Sequence, residues 1–256
     1  MERTIKEVLH LTPHAVCVWT DGDERVDVAL TTLVHSGILV VTFGRHADVS
    51  GLYGEVEVNW PQAAELLGQE LHRIAGARRS YALIHEKSRS PRGRTLYDRF
   101  NAVAQRQHGL SGLAEVDLHD EANPGVVIGG VLSRFPNVGF VVTLTAAPWL
   151  EDDGRLLRDA QPSFATVGAV PALWPAIRSG RALALAGPID GDIGRAAAAV
   201  AVAGLTRSEP FGVYRGIACE LVWPATLDDF SRRYRAAAGW SAGSAGSQSG
   251  RDGVTP

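Results

Sequence analysis

Aromatic residues and a run of arginines are the side chains in this sequence best placed to do chemistry. Trp19, Phe43, Trp60 and Trp149 each fall at or just beyond the C-terminal end of an apolar run. Flat aromatic walls there suit the apolar faces of sugars and other rings; the bland alternative is aromatics plugging a sheet edge. Between Arg73 and Arg106 the chain carries nine basic residues against Glu86 and Asp98, a surplus of seven in a chain whose formal net charge is −3. Lys87, Arg89, Arg92 and Arg94 of that segment cluster after the apolar run Tyr81–His85. Guanidinium forks match oxygen pairs, so the cluster predicts recognition of an anionic or polyhydroxylated ligand. A solvated basic loop is the competing reading.

Signals for catalysis are sparse. The eight histidines show neither HxH nor HExxH spacing, and no metal site is expected. The sequence has no Walker loop, no GxGxxG between a strand and a helix and no GxSxG elbow, so no cofactor is implied. An enzyme would have to rest on His85, Arg94 and His119, which lack a nucleophile or paired carboxylates. The expectation is a binding protein without catalytic residues.

These side chains need a scaffold that gathers strand ends, and the patterning supplies one. Ala15–Trp19 is a short β-rich run. Val26, Ala29, Leu30, Leu33 and Val34 then fall on one helical face, with Gly37 as the stop. Ile38–Phe43 reads as a strand buried on both faces, which is how parallel sheets look in sequence. The alternation continues with strands at Glu55–Asn59, Tyr81–His85, Leu113–Leu118, Val138–Leu144, Phe164–Val167 and Ala182–Ala186. Helical stripes run from Pro61 to Ala75, through Leu96–Ala104, over Glu121–Arg134, between Pro171 and Gly180, and from Asp190 or Asp192 to about Leu205. Val213–Trp223 is the last strand-like stretch. Strand–helix alternation of this kind means βαβ units and open parallel sheets, with ligands bound beyond the carboxyl ends of the strands.

Composition narrows the function classes. At 45% hydrophobic and 21% charged residues the chain is an ordinary globular sequence, and its pI near 6.2 argues against a generic nucleic-acid binder. Cys17 and Cys219 cannot make a disulfide framework. No apolar run approaches a membrane span. The residues after Met1 lack the apolar core of a secretory signal, which places the chain as written in the cytoplasm, or in the periplasm if its start lies upstream. Beyond Trp240 the Ser/Ala/Gly-rich stretch 240–256 is expected to be a disordered tail.

The order of elements resembles type I periplasmic solute-binding proteins of the ribose-binding kind, and the related effector domains of LacI-type repressors. The resemblance rests on Pro13–Val18 and Gly37–Arg45, on Glu57–Asn59 with the helix that follows, and on Phe135–Val142. It continues through Arg178–Leu185 with Asp192–Ala197, and through Glu220–Phe230, so that it covers roughly residues 4–230. It implies an α/β, two-lobed periplasmic-binding-protein-like fold with parallel sheets. The family begins about two βα units before Met1, so the first lobe is expected to be incomplete: 1–56 plus 189–206, with 57–188 plus 207–235 forming the second lobe. The function implied is binding of a sugar or sugar derivative for transport, with ABC transporter membrane subunits as partners. The alternatives are a LacI-type effector domain or a truncated scaffold that binds nothing. Nucleic acid is not an expected partner of the chain as written, and an incomplete lobe points to self-association.

By the resemblance, Arg45 and Arg94 match the family's ligand-binding positions. Trp19, Gly44, Thr145, Gly168 and Pro188 stand where the family carries polar residues for sugar hydroxyls. The expected ligand-binding set is therefore Trp19, Phe43, Arg45, Arg94 and Thr145. The basic surplus and the lost acids favour sugar acids or phosphorylated sugars over neutral pentoses.

Overall fold

The computed structural model describes residues 2–20, 24–44, 46–106, 109–118, 123–150, 163–207 and 211–239. The first part holds α1 (Glu2–Leu11), β1 (Ala15–Thr20), α2 (Glu24–His35), β2 (Leu39–Gly44) and β3 (Gly54–Val58). Next come α3 (Trp60–Gln69), α4 (Leu71–Ala75), β4 (Ser80–His85), α5 (Pro91–Ala104), β5 (Ser111–Asp117), α6 (Pro124–Arg134), β6 (Phe140–Thr143) and α7 (Ala147–Leu150). The last part holds β7 (Ser163–Val167), α8 (Trp174–Arg178), β8 (Ala182–Gly187), α9 (Asp190–Leu205), β9 (Val213–Ile217), β10 (Glu220–Val222) and α10 (Leu227–Ala237).

The strands form two sheets. The first runs β1-β2-β3-β9 and is parallel throughout. The second runs β10-β8-β7-β6-β4-β5 and is parallel except for β10, which lies antiparallel to β8. The helices bury the faces that their periodicity predicts. Val26, Leu30 and Leu33 of α2 pack on Val40 of β2. Ile193, Ala197 and Val200 of α9 join the cluster that contains Val41, Val56 and Val58 of the first sheet. That cluster continues through Ala63, Ala64 and Leu67 of α3 to Leu83, Phe140 and Val142 of the second sheet, so one apolar core serves both. Gly68 makes the α3–α5 contact close, because a Cβ there would lie 2.9 Å from the Phe100 carbonyl oxygen.

The predicted stretch Val213–Trp223 divides between the two sheets. β9 pairs with β3 in the first sheet and β10 with β8 in the second. Assigning all of 207–235 to the second lobe is therefore corrected for β9. The physical reason lies at the crossing: Asn59 N–H donates to the Ile217 carbonyl at 2.8 Å, and Cys219 N–H donates to Gln62 Oε1 at 2.9 Å. These two bonds satisfy the backbone where the chain leaves one sheet for the other. The Pro61–Ala75 stripe breaks at Glu70 into α3 and α4, and the segment opened by Pro171 is a 3-10 turn followed by α8. The Ser/Ala/Gly-rich stretch 240–256 lies outside the described residues. No helix among the described residues is long and apolar enough to cross a membrane.

Candidate functional site

The carboxyl ends of the strands and the N-terminal turns of three helices enclose a cleft of about 590 Å³. β1 brings Trp19 and β2 brings Phe43 and Gly44. β3 ends at Val58, and Trp60 opens α3. Arg92 comes from the first turn of α5, and Asp190, Ile193 and Gly194 from the first turns of α9. Trp19 and Phe43 meet edge to face, with centroids 5.6 Å apart. The Arg92 guanidinium lies over the Trp60 ring, Cζ 4.1 Å from its centroid, a cation–π contact that fixes both groups in the wall.

Helix capping decides which arginine enters the cleft. Ser90 is the N-cap of α5, its hydroxyl accepting from Gly93 N–H at 3.0 Å, and Pro91 holds the first turn. Gly93 must be glycine, because a Cβ would sit 2.0 Å from the Glu86 carbonyl oxygen. With the phase set so, Arg92 faces Trp60. Arg94, two residues on and therefore about 200° around the helix, is exposed and lines neither this cleft nor the annex beside it. The annex, about 170 Å³, is lined by Glu86, Ser90, Arg92, Gly93, Leu96, Leu144 and Thr145. Arg92 is common to both spaces.

Of the predicted ligand-binding residues, the structure brings Trp19 and Phe43 together in the cleft and Thr145 into the annex, and it does not bring Arg94. Arg45 lies outside the described residues, as does His119. Trp149, expected in the aromatic wall, belongs to the core instead: it stacks on Phe164 with centroids 3.9 Å apart and is 1% exposed. Arg92 and Asp190 were legible only as part of a basic cluster and as a helix cap.

Among the described residues the cleft is lined by two charged side chains, Arg92 and Asp190. Asp190 accepts from the Tyr234 hydroxyl at 2.5 Å. Burial, then the nearby Asp190 carboxylate, pushes the Tyr234 phenol well above its ordinary range. Burial also pushes the Cys219 thiol up to about 12, although the Arg92 charge nearby opposes this. Gly44 and Gly168 occupy positions of positive φ (115° and 119°). A Cβ would meet the Thr20 carbonyl oxygen at 2.6 Å in one case and Ala146 Cβ at 2.6 Å in the other. The acids that the family carries there are excluded by backbone conformation and packing.

His85 sits beneath α5, fully buried, with Nε2 3.2 Å from Glu115 Oε1 and Nδ1 3.4 Å from Asp117 Oδ1. Tyr97 donates to Glu115 at 2.8 Å, Lys87 Nζ lies 3.0 Å from the same oxygen, and Ser88 bonds Asp117. Partial burial opposes the Glu115 charge, but the bonds from Tyr97, Lys87 and His85 outweigh it and hold the carboxyl below its usual range. This network ties the 86–90 loop to β5 and so holds the start of α5. His85 lines neither cavity.

On the first sheet, His46, Glu55 and Glu57 bring one ligand-type atom each to within 4.8 Å of one another, a convergence of loop and strand with no signal in the spacing. The hydrogen bond to Glu55 at 2.8 Å raises the His46 pKa against some desolvation. A raised folded pKa means that the pair stabilises below the ordinary histidine value of 6.5 and that this contribution is lost as pH rises through the folded value. Because His46 is 68% exposed, the contribution is small, as for surface pairs in general. His46→Gln is expected to lower Tm at about pH 5.5 and to leave it unchanged at about pH 8. Equal losses at both pH values would contradict the pairing.

No protein-family model and no curated protein matches the sequence. The fold, in contrast, matches solved structures. A periplasmic solute-binding protein of an ABC transporter from Actinobacillus succinogenes with bound D-allose superposes with a TM-score of 0.73 at 12% identity, over 89% of this chain and 82% of that one. An arabinose-binding protein from Geobacillus stearothermophilus gives 0.73 at 13% identity, over 88% and 82%. A chain from Bacteroides fragilis assigned as a LacI transcriptional regulator gives 0.69 at 13% identity, over 89% and 81%. The fold is therefore the two-lobed α/β fold of type I periplasmic binding proteins.

Proposed function

We propose that this chain is a solute-binding protein that holds a small molecule of the sugar or anionic sugar-derivative class between its two sheets, without catalysing a reaction. The observation that carries this reading is the cleft at the strand ends, walled by Trp19, Phe43 and Trp60 around Arg92. The volume, about 590 Å³, falls in the range of small-molecule sites. The neighbours with bound D-allose and D-arabinose carry their ligands on the same fold. Bound solute is passed to ABC transporter membrane subunits outside the cytoplasm, and the lobes move about the crossings at 58–60, 187–190 and 217–220. A LacI-type effector role is the second reading, favoured by the Bacteroides fragilis neighbour.

Titrating tryptophan emission with glucuronate and D-arabinose tests the proposal. Saturable binding of glucuronate in preference to D-arabinose is the expected result, and a flat response to both contradicts it. Self-association belongs to the same proposal, because β1 ends the first sheet and carries the exposed Trp19. A monodisperse monomer in sedimentation would count against that part.

A further inference from the structure

The face of the first sheet turned away from α9 gathers ligand-type side chains that do not line the cleft. Glu55 and Glu57 alternate with the buried Val56, so both project from one side of β3. The chain after β2 returns over that side, burying Ala47 and Leu52 in the α2 cluster and setting His46 Nδ1 2.8 Å from Glu55 Oε2. One atom each from His46, Glu55 and Glu57 then lies within 4.8 Å of the others. A neutral imidazole with two carboxylates complements a divalent cation, and Asp48 adds negative charge close enough to act on His46.

A second observation, outside those three residues, points the same way. Thr42 is 1% exposed, and its hydroxyl has no hydrogen-bond partner among the described residues. The parallel register of β2 and β3 sets Thr42 directly beside Glu55, on the same face and one strand spacing away, about 4.8 Å. A buried hydroxyl with nothing to bond is costly, and an ion or water commonly completes such a group. Glu57 already has the matching partner: β9, on the other side of β3, brings the Tyr214 hydroxyl, which donates to it at 3.1 Å. Metal-ligating carboxylates are held by outer hydrogen bonds of this kind. With one Glu55 oxygen on an ion, the other can accept from Thr42.

We propose that His46, Glu55 and Glu57 bind a divalent transition-metal ion of the zinc type, with Thr42 and Tyr214 as outer partners of the two carboxylates. The imidazole selects zinc over calcium and magnesium, which take oxygen ligands. Three protein ligands leave a fourth, tetrahedral position to water. Ligands about 2.1 Å from zinc stand about 3.4 Å apart in a tetrahedron, so the widest gap in the cluster closes by at most about 1.4 Å. His46, 68% exposed, has room to make that movement. The ion takes the place of the proton between His46 and Glu55. Bound there, it pins the return after β2 onto β3, next to the end of β2 that supplies Phe43 and Gly44 to the cleft.

Calorimetry of the full chain with zinc chloride, after chelator treatment, tests the site apart from the solute-binding reading. One saturable zinc site is expected, with calcium and magnesium at least about 10-fold weaker. Thr42→Val should weaken zinc about 10-fold, the lower end for loss of an outer partner, and His46→Gln or Glu57→Gln, each losing a ligand, by more. His72→Gln, at an exposed position on α4, should change nothing. Thr42→Val also separates this role from a merely structural one. Removing an unpartnered hydroxyl should leave the metal-free Tm unchanged or raised, while the rise in Tm on adding zinc shrinks. No zinc binding, tighter binding of calcium, or zinc binding that survives both His46→Gln and Glu57→Gln overturns the site. A zinc affinity untouched by Thr42→Val removes Thr42 from it.

Discussion

Trp149→Ala is expected to cost about 3–5 kcal/mol of folding stability, the cost of truncating a fully buried large aromatic. Trp149 is 1% exposed, stacks on Phe164 at 3.9 Å with planes 16° apart, and donates its indole N–H to Thr143 Oγ1 at 2.8 Å. Thr143 in turn bonds Thr166 at 2.7 Å, so the ring anchors a polar link between β6 and β7. Truncation leaves a cavity and strips one partner from a buried hydroxyl, and both effects destabilise. Chemical denaturation monitored by circular dichroism gives the measurement. Trp149→Phe keeps a stacked ring, loses the hydrogen bond and part of the ring volume, and should recover part of the loss. A loss below about 1 kcal/mol for alanine would place Trp149 outside the packed core.

Arg92→Ala is expected to weaken binding of a carboxylate ligand about 10- to 150-fold, because a hydrogen bond to a charged group is worth about 1.5–3 kcal/mol. Arg94→Ala should leave the affinity within about 2-fold, since that side chain lines neither cavity. Calorimetry on the two variants with glucuronate separates them. Equal losses would mean that the basic segment acts as a diffuse field, and a loss in Arg94→Ala alone would mean that the first turn of α5 is turned the other way.

That pair also shows what the sequence discloses and what it withholds. Strands such as Ile38–Phe43 and Ala182–Ala186 announce themselves as apolar runs, and the stripe of Val26, Leu30 and Leu33 announces a helix, because burial imposes both patterns. Matching along the chain selects Arg94, whereas the cap Ser90, the N1 proline and the obligate Gly93 set a helical phase that lays Arg92 over Trp60. The division of Val213–Trp223 between two sheets leaves no mark in hydropathy, since β9 and β10 are both short and partly buried. Trp149 and Trp60 look alike in sequence, each following a strand. Trp60 opens α3 at the cleft, while Trp149 is carried by the short α7 onto Phe164. The convergence of His46, Glu55 and Glu57 depends on a loop returning over β3, which spacing alone does not encode.

The central claim is that the solute sits between the sheets, against Trp19 and Trp60. Titration of intrinsic fluorescence with glucuronate, which does not absorb where tryptophan does, tests it in the wild type, in the double variant Trp19→Phe with Trp60→Phe, and in Trp174→Phe, a residue of the second sheet's core that is 4% exposed. The account predicts a saturable emission change in the wild type that persists in Trp174→Phe and is lost in the double variant, while calorimetry still detects binding there. An emission change of undiminished size in the double variant would contradict it.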